Sequence, residues 1–329
     1  MAVPSFAVPL SRRRLPLVTL YVTDRCNSRC ITCDYWRHGR VDLAPASVEA
    51  ILPELEELGT RLVVLSGGEP LLNPEWARIG ERLKSAGLEV WLLTSGLALA
   101  KHARRAASIF SAVTVSLDGT DAQTYASIRG LDAFDKVCEG VRAAARLVPV
   151  NLRVTVQRAN YRQLPAFVDL AKSLGAGQVS FLAVDVANAH AFARAGGVSS
   201  DLALGPADLP ELARILESME RDYAAEFRSG FIAESVAKLW RIHQYFCALR
   251  GRDAYPQVRC NAPEFSAVID VRGRVQPCHF IEGPPGLSAD QGLRARLDSR
   301  AMTDLRADIR AGRRAECKTC VCSMYRELA

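Results

Sequence analysis

The chain has 329 residues, 49% of them hydrophobic and 24% charged, and a net charge of +6 concentrated at Arg12-Arg13-Arg14 and around Arg313-Arg314. That length holds one large domain plus a small one, and the composition is that of an ordinary globular protein. The arginines read as a solvated surface, which sets aside a dedicated nucleic-acid binder, and no run reaches the ~20 apolar residues of a membrane span.

The segment Leu15 to Val22 follows three arginines but contains Pro16 and leads into a cysteine loop, not a small-residue cleavage site. It reads as a buried strand of a cytoplasmic protein and not as a signal peptide. The short β-rich runs are Leu17–Thr23, Arg61–Ser66, Leu88–Thr94, Ala112–Leu117, Val150–Val156 and Gln178–Val184. Amphipathic helical stretches lie between them, at Pro45–Leu58, Pro74–Ala86, Leu97–Phe110, Phe134–Leu147 and Tyr161–Leu174. Near-continuous Val, Leu and Ile in the strands predicts a parallel sheet covered by helices, and strict alternation predicts right-handed βαβ units. Six such repeats fall short of the eight that close a barrel, so the expected fold is an α/β partial (β/α)6 TIM-like barrel.

Asn188–Gly205 reads as a loop, and Pro206–Arg228 and Glu234–Arg250 read as helices. Beyond Tyr255 the alternation stops, which predicts a small, turn-rich, cysteine-rich domain held by metal more than by a large core. The expected organisation is an N-terminal segment (1–15), the partial barrel (16–205), a helical linker (206–255) and a cysteine-rich auxiliary domain (256–329).

Of ten cysteines, three lie within Cys26–Cys33, six lie between Cys247 and Cys322, and Cys138 stands apart as a buried apolar residue. Such clustering points to metal sites and not to disulfides. Cys26, Cys30 and Cys33 have C-x3-C-x2-C spacing, and three thiolates in one loop can hold three irons of a cubic cluster. The fourth iron is then open to a substrate or cofactor. Gly67-Gly68-Glu69-Pro70 ends the next strand, so both features fall at the carboxyl ends of strands, where α/β folds bind ligands. Glycines there allow close backbone approach; taken alone they are equally a tight turn.

Together these motifs resemble the radical S-adenosylmethionine (SAM) superfamily. The resemblance implies a [4Fe-4S] cluster on Cys26, Cys30 and Cys33 and SAM chelated to its open iron. It implies SAM contacts at Gly67, Gly68 and Glu69 and, from polar strand ends, at Ser116, Thr94, Asp118 and Arg129. Arg153, on the fifth strand, faces into the barrel or out of it; facing in, it holds the SAM carboxylate or orients the substrate. The superfamily's aromatic residue before the third cysteine is Thr32 here, with Tyr35 and Trp36 after Cys33.

Cys260 and Cys278 enclose Gly273, and Cys317, Cys320 and Cys322 follow as C-x2-C-x-C. This resembles the SPASM/twitch extension of some radical SAM enzymes, in its shorter twitch form. It implies a second, auxiliary [4Fe-4S] cluster on Cys260, Cys278, Cys317 and Cys320, with Cys322 as the alternative ligand; four cysteines suit tetrahedral zinc as well. Cys247 is a further ligand, a hydrogen-atom donor to a substrate radical, or a buried apolar residue. His279 is a polar neighbour of the cluster or a surface residue.

The resemblance implies an enzyme that abstracts hydrogen from an unactivated C–H of a sugar- or aminocyclitol-like molecule, giving dehydrogenation or epimerisation, with a flavodoxin- or ferredoxin-type electron donor. The cysteine loop begins at residue 26, leaving no upstream room for a leader-binding domain, which ranks a ribosomal-peptide maturase, crosslinking or epimerising its substrate, second. A non-catalytic iron–sulfur or zinc scaffold ranks third.

Overall fold

The structure, a computed structural model, describes residues 14–188, 191–194, 199–257, 259–286, 291–322 and 324–326. The N-terminal segment up to residue 13 and parts of the 188–205 loop lie outside them. The expected strands form where the apolar runs predicted: β1 (Leu17–Thr23), β2 (Leu62–Gly67), β3 (Glu89–Thr94), β4 (Ala112–Ser116), β5 (Val150–Val156) and β6 (Gln178–Ala183). Successive strands pair in parallel and in order. Helices α1 (Tyr35–His38), α2 (Pro45–Glu57), α3 (Trp76–Ser85), α4 (Leu99–Ile109), α5 (Ala122–Arg129), α6 (Phe134–Ala145) and α7 (Leu164–Ser173) alternate with them. One face of the sheet and the inner stripes of these helices share a buried core that includes Val63, Val90, Val113, Leu152, Ile79, Ala106, Val141 and Phe167.

Next come α8 (Leu209–Asp222), α9 (Ala224–Ser229) and α10 (Val236–Leu249), then α11 (Ala262–Phe265), α12 (Leu293–Leu297), α13 (Arg300–Arg310) and α14 (Ala315–Lys318). The sheet does not stop at six strands. β7 (Ser266–Ile269) pairs in parallel with the free edge of β1, and β8 (Val275–Gln276) returns antiparallel to β7. The order β6-β5-β4-β3-β2-β1-β7-β8 is open at both ends.

The carboxy-terminal segment is therefore more than a turn-rich, metal-held appendage, and that expectation is corrected in two respects. Leu293, Leu297, Met302, Leu305 and Ile309 on α12 and α13 join the main core. The Glu54 carboxylate of α2 accepts the first free N–H groups of α12, from Leu293 and Arg294, each at 2.8 Å, a placement that complements the helix N-terminus. Phe265 and Ala262 of α11 pack on Leu17 and Leu62, with Val64, Trp91, Cys260 and Met324 alongside. α11 thus covers the inner face of the sheet at the start of β1 and β2. Among the described residues no helix is long and apolar enough to cross a membrane.

Candidate active site

The cysteine loop leaves β1 at Thr23 and is fastened on three sides. The Thr23 and Arg25 carbonyls accept from Gly68 and Glu69 N–H, both at 2.8 Å. Gly67 has φ +128, and a Cβ there would lie 2.0 Å from the Thr23 oxygen; one on Gly68 would lie 2.1 Å from the Arg25 oxygen. These glycines therefore serve the contact between the second strand's turn and the cysteine loop itself. The Arg25 guanidinium grips the Asp42 carboxylate through Nε at 3.0 Å and Nη2 at 2.6 Å. On the far side, Arg29 and Ile31 N–H donate to the Arg129 and Ile128 carbonyls at the end of α5, at 2.9 and 3.0 Å. The third anchor was not legible in the sequence: Arg194, from the stretch read as a loop, donates to the Thr32 carbonyl from Nε (3.0 Å) and Nη2 (2.9 Å).

Glu69 is fully buried. Its carboxylate accepts from Thr94 Oγ1 at 2.7 Å, Ser95 N–H at 2.6 Å and Leu71 N–H at 3.2 Å. Glu69 and Thr94 thus tie the ends of β2 and β3 together. Asp118, beyond β4, is likewise engaged: it accepts from Thr155 N–H at 2.7 Å and pairs with Arg129 Nε at 3.0 Å. Burial holds its carboxyl above the usual range, and Arg129 partly offsets this. Arg129 also donates from Nη1 to Cys30 Sγ at 3.2 Å. Burial works against charge on Arg129, but Asp118 and Cys30 outweigh it and raise its pKa.

The direction of Arg153 follows from register. It pairs with Ser116 on β4 and Ser180 on β6, and its charge reaches His279 and Cys322 of the carboxy-terminal segment. It therefore faces inward. Among the described residues its guanidinium has no hydrogen bond, and its Nε is buried. Nearby, the Tyr21 hydroxyl and His279 Nδ1 are hydrogen-bonded at 3.1 Å, and Tyr35 meets Tyr21 edge-on. Burial pushes the His279 ring down to about 4, so it is neutral at pH 7.

Cys260, Cys278, Cys317, Cys320 and Cys322 all line one cavity of about 650 Å³, together with Thr19 of β1, Val268 of β7 and His279. Asn261 brings the set together across the chain: its N–H donates to the Met324 carbonyl at 3.0 Å and its Nδ2 to the Arg326 carbonyl at 2.6 Å. Cys320 Sγ donates to the Cys322 carbonyl at 2.9 Å. Cys247 sits apart on α10, with Sγ 3.7 Å from His243 Nδ1 and Arg252 and Asp253 as its charged neighbours. Cys138 is buried in α6.

Both cysteine sets suit a polynuclear cationic group. Burial pushes the Cys26 thiol up to about 11 and the Cys33 and Cys278 thiols up to about 12. Thiolates in such surroundings need strong positive charge against the sulfur. Among the described residues no three Cys, His, Asp or Glu side chains converge on a single-ion position. The carboxy-terminal cysteines, which share one cavity, suit a cubic cluster or a tetrahedral zinc alike. Beside the first set, the side-chain oxygens of Asn27, Ser28 and Ser95 and Nη2 of Arg129 are buried without a partner, leaving polar groups for a bound ligand.

Residues 20–171 match the Radical SAM superfamily. The chain is 30% identical over 168 residues to the AdoMet-dependent heme synthase of Methanosarcina barkeri, covering 49% of this chain and 48% of that protein. It is 34% identical over 163 residues to a probable GTP 3′,8-cyclase of Methanopyrus kandleri, covering 48% of this chain and 53% of that protein. It spans about half the length of these curated relatives. Among solved structures, Streptococcus suis SuiB bound to the precursor peptide SuiA matches 95% of this chain and 72% of that one, with a TM-score of 0.68 and 14% identity. Native anSMEcpe with bound AdoMet and Cp18Cys peptide matches 88% of this chain and 82% of that one, with a TM-score of 0.65 and 17% identity. At these identities the structural likeness is one of fold. Residues 20–171 are thus a radical SAM domain, of a superfamily whose members use a [4Fe-4S] cluster and SAM.

Proposed function

We propose that this chain is a radical SAM enzyme that abstracts hydrogen from an unactivated carbon of a small polar substrate, sugar- or aminocyclitol-like, leading to dehydrogenation or epimerisation. The observation that supports the radical SAM part of this reading is the convergence of the Cys26–Cys33 loop with Glu69, Thr94 and the Asp118–Arg129 pair at the carboxyl ends of β1 to β4. Cys26, Cys30 and Cys33 are the cluster ligands, and Gly67, Gly68 and Ser116 border the space for SAM. When bound, the cluster and SAM supply a 5′-deoxyadenosyl radical, and the protein's task is to place the target C–H and exclude water.

The chain's own residues divide that task. Glu69 and Thr94 fix the floor of the SAM site by holding the two strand ends. Arg153, inward and without a hydrogen bond among the described residues though within electrostatic reach of Glu234, binds an anionic group, which is either the SAM carboxylate or part of the substrate. α11 covers the inner face at the start of β1 and β2, where Ala262 and Phe265 pack on Leu17 and Leu62. Cys260, Cys278, Cys317 and Cys320 hold a second, auxiliary cluster within the shared cavity, which is the SPASM/twitch reading of residues 256–329. Cys322 remains the alternative ligand, though its charged neighbours are Arg153 and Lys238 on the barrel side. Reducing equivalents come from a flavodoxin- or ferredoxin-type donor in a reducing cytoplasm, which suits ten free cysteines.

A ribosomal-peptide substrate is the second reading, favoured by the fold likeness to peptide-bound SuiB over 95% of the chain. The deciding experiment is anaerobic turnover with SAM, reductant and either aminocyclitols and sugars or candidate precursor peptides, followed by product mass. A mass change on the small molecule without a peptide or helper protein is the expected result. Strict dependence on a peptide reverses the ranking.

Cys247 provides a separate test of the thiol-donor idea. Its place beside His243 on α10 is a packing position, so Cys247→Ala is expected to leave product identity and SAM cleavage unchanged. Loss of inversion with continued deuterium transfer to 5′-deoxyadenosine restores the donor role.

A further inference from the structure

We infer that Arg129, anchored by Asp118, is a positioning residue for Cys30 that places a charged N–H on the middle cysteine's sulfur and thereby sets how readily the cluster is reduced. The inference rests on the reading of Cys26, Cys30 and Cys33 as cluster ligands, but assigns Arg129 to the sulfur in place of SAM.

Four observations carry it. Nη1 of Arg129 stands 3.2 Å from Cys30 Sγ, a donor contact to sulfur from a side chain that is 9% exposed. The guanidinium is held at its other edge by Asp118, with Nε 3.0 Å from Oδ2 and both side chains buried. Asp118 is itself fixed by Thr155 N–H at 2.7 Å, while Asn160 Nδ2 holds its carbonyl at 3.0 Å. Finally, the backbone at Arg129 and Ile128 receives the N–H groups of Arg29 and Ile31, the residues on either side of Cys30. Side chain and backbone of one helix end therefore address one cysteine from two directions.

The physical consequence has a definite sign. Reduction adds negative charge to the cluster and its thiolates. A guanidinium donating to a ligand sulfur stabilises the reduced form more than the oxidised form, and low exposure keeps water from screening it. Removing the charge must make the cluster harder to reduce. Lysine keeps the charge but lacks the planar fork that spans Asp118 and Cys30 together.

The test is an EPR-monitored redox titration of anaerobically reconstituted protein, with iron content measured on the same samples. To isolate the first cluster, the variants are made in a Cys260→Ser/Cys278→Ser background as well as in wild type. Arg129→Gln is expected to keep its iron and to show a roughly tenfold lower reduced-to-oxidised ratio at fixed potential, a shift of about 59 mV for one electron. Arg129→Lys, which keeps the charge but loses the planar fork, should give a smaller shift in the same direction. A titration of Arg129→Gln that overlays wild type, at full iron content, overturns the inference and leaves the cluster reading intact. If Arg129→Gln cannot be loaded, Arg129→Lys decides by the same criterion. If both remain folded by circular dichroism but lose iron, Arg129 is a loop-folding residue and the potential-setting role is overturned. Wild-type protein that takes up no iron at Cys26, Cys30 and Cys33 instead sinks the underlying reading.

Discussion

Wild-type protein reconstituted anaerobically is expected to bind about eight irons, and the combined Cys26→Ala, Cys30→Ala and Cys33→Ala variant about four, two cubic clusters against one. The same variant should release no 5′-deoxyadenosine under any reductant, a complete loss and not a fractional one. The geometry explains why nothing can substitute. Main-chain hydrogen bonds on the Thr23–Arg25 side and on the α5 side hold the loop, and Arg194 closes it at Thr32, so no other cysteine can reach the vacated positions. The fold should survive: Cys26 and Cys33 are half-buried, and Cys30 alone is within the core at 8% exposure. Circular dichroism should therefore overlay wild type while iron halves. Zinc in place of iron in the carboxy-terminal set sinks the auxiliary cluster. Fully loaded wild type that never cleaves SAM makes the scaffold reading the stronger one.

Much of this fold and site is legible in the sequence, for a definite reason. The helix-facing residues of each strand form a regular apolar series, as Val150, Leu152, Val154 and Val156 do in β5, so β1 and β5 begin and end where the sequence predicts and the other barrel strands differ only at their ends. Cysteine spacing within one loop is a local property, and so is the glycine pair after β2. What the sequence hid was long-range or directional. β7 is four residues long and β8 two, too short to carry a periodic signal. The hydrogen bonds of the Glu69 carboxylate to Thr94 and Ser95, more than twenty residues away in the chain, likewise have no local signature. Arg153 had two possible faces, and only its register against Ser116 and Ser180 chose one. Arg194 reaches Thr32 across 162 residues, a contact that no composition or spacing announces.

Gly68→Ala is expected to cost about 3 kcal/mol or more, lower the melting temperature by several degrees, and strip both iron from the first site and SAM cleavage from the protein. The added Cβ would lie 2.1 Å from the Arg25 oxygen and 2.6 Å from its carbonyl carbon. Both are backbone atoms, so relief requires moving the cysteine loop away from β2. That motion breaks the Gly68 and Glu69 N–H contacts to Thr23 and Arg25 and displaces Cys26 one residue further on. Gly67→Ala should be as severe, because a Cβ 2.0 Å from the Thr23 oxygen adds to a φ of +128 that side chains rarely adopt. The control is Gly87→Ala, at the turn before β3. It too has positive φ, +80, but a Cβ there meets nothing within 4 Å. It should cost only about 1 kcal/mol and leave iron content and SAM cleavage untouched. If Gly68→Ala behaves like Gly87→Ala, the glycine pair is an ordinary turn that does not hold the cysteine loop. If it alone loses iron, the second strand's turn is the clamp that sets the ligand geometry.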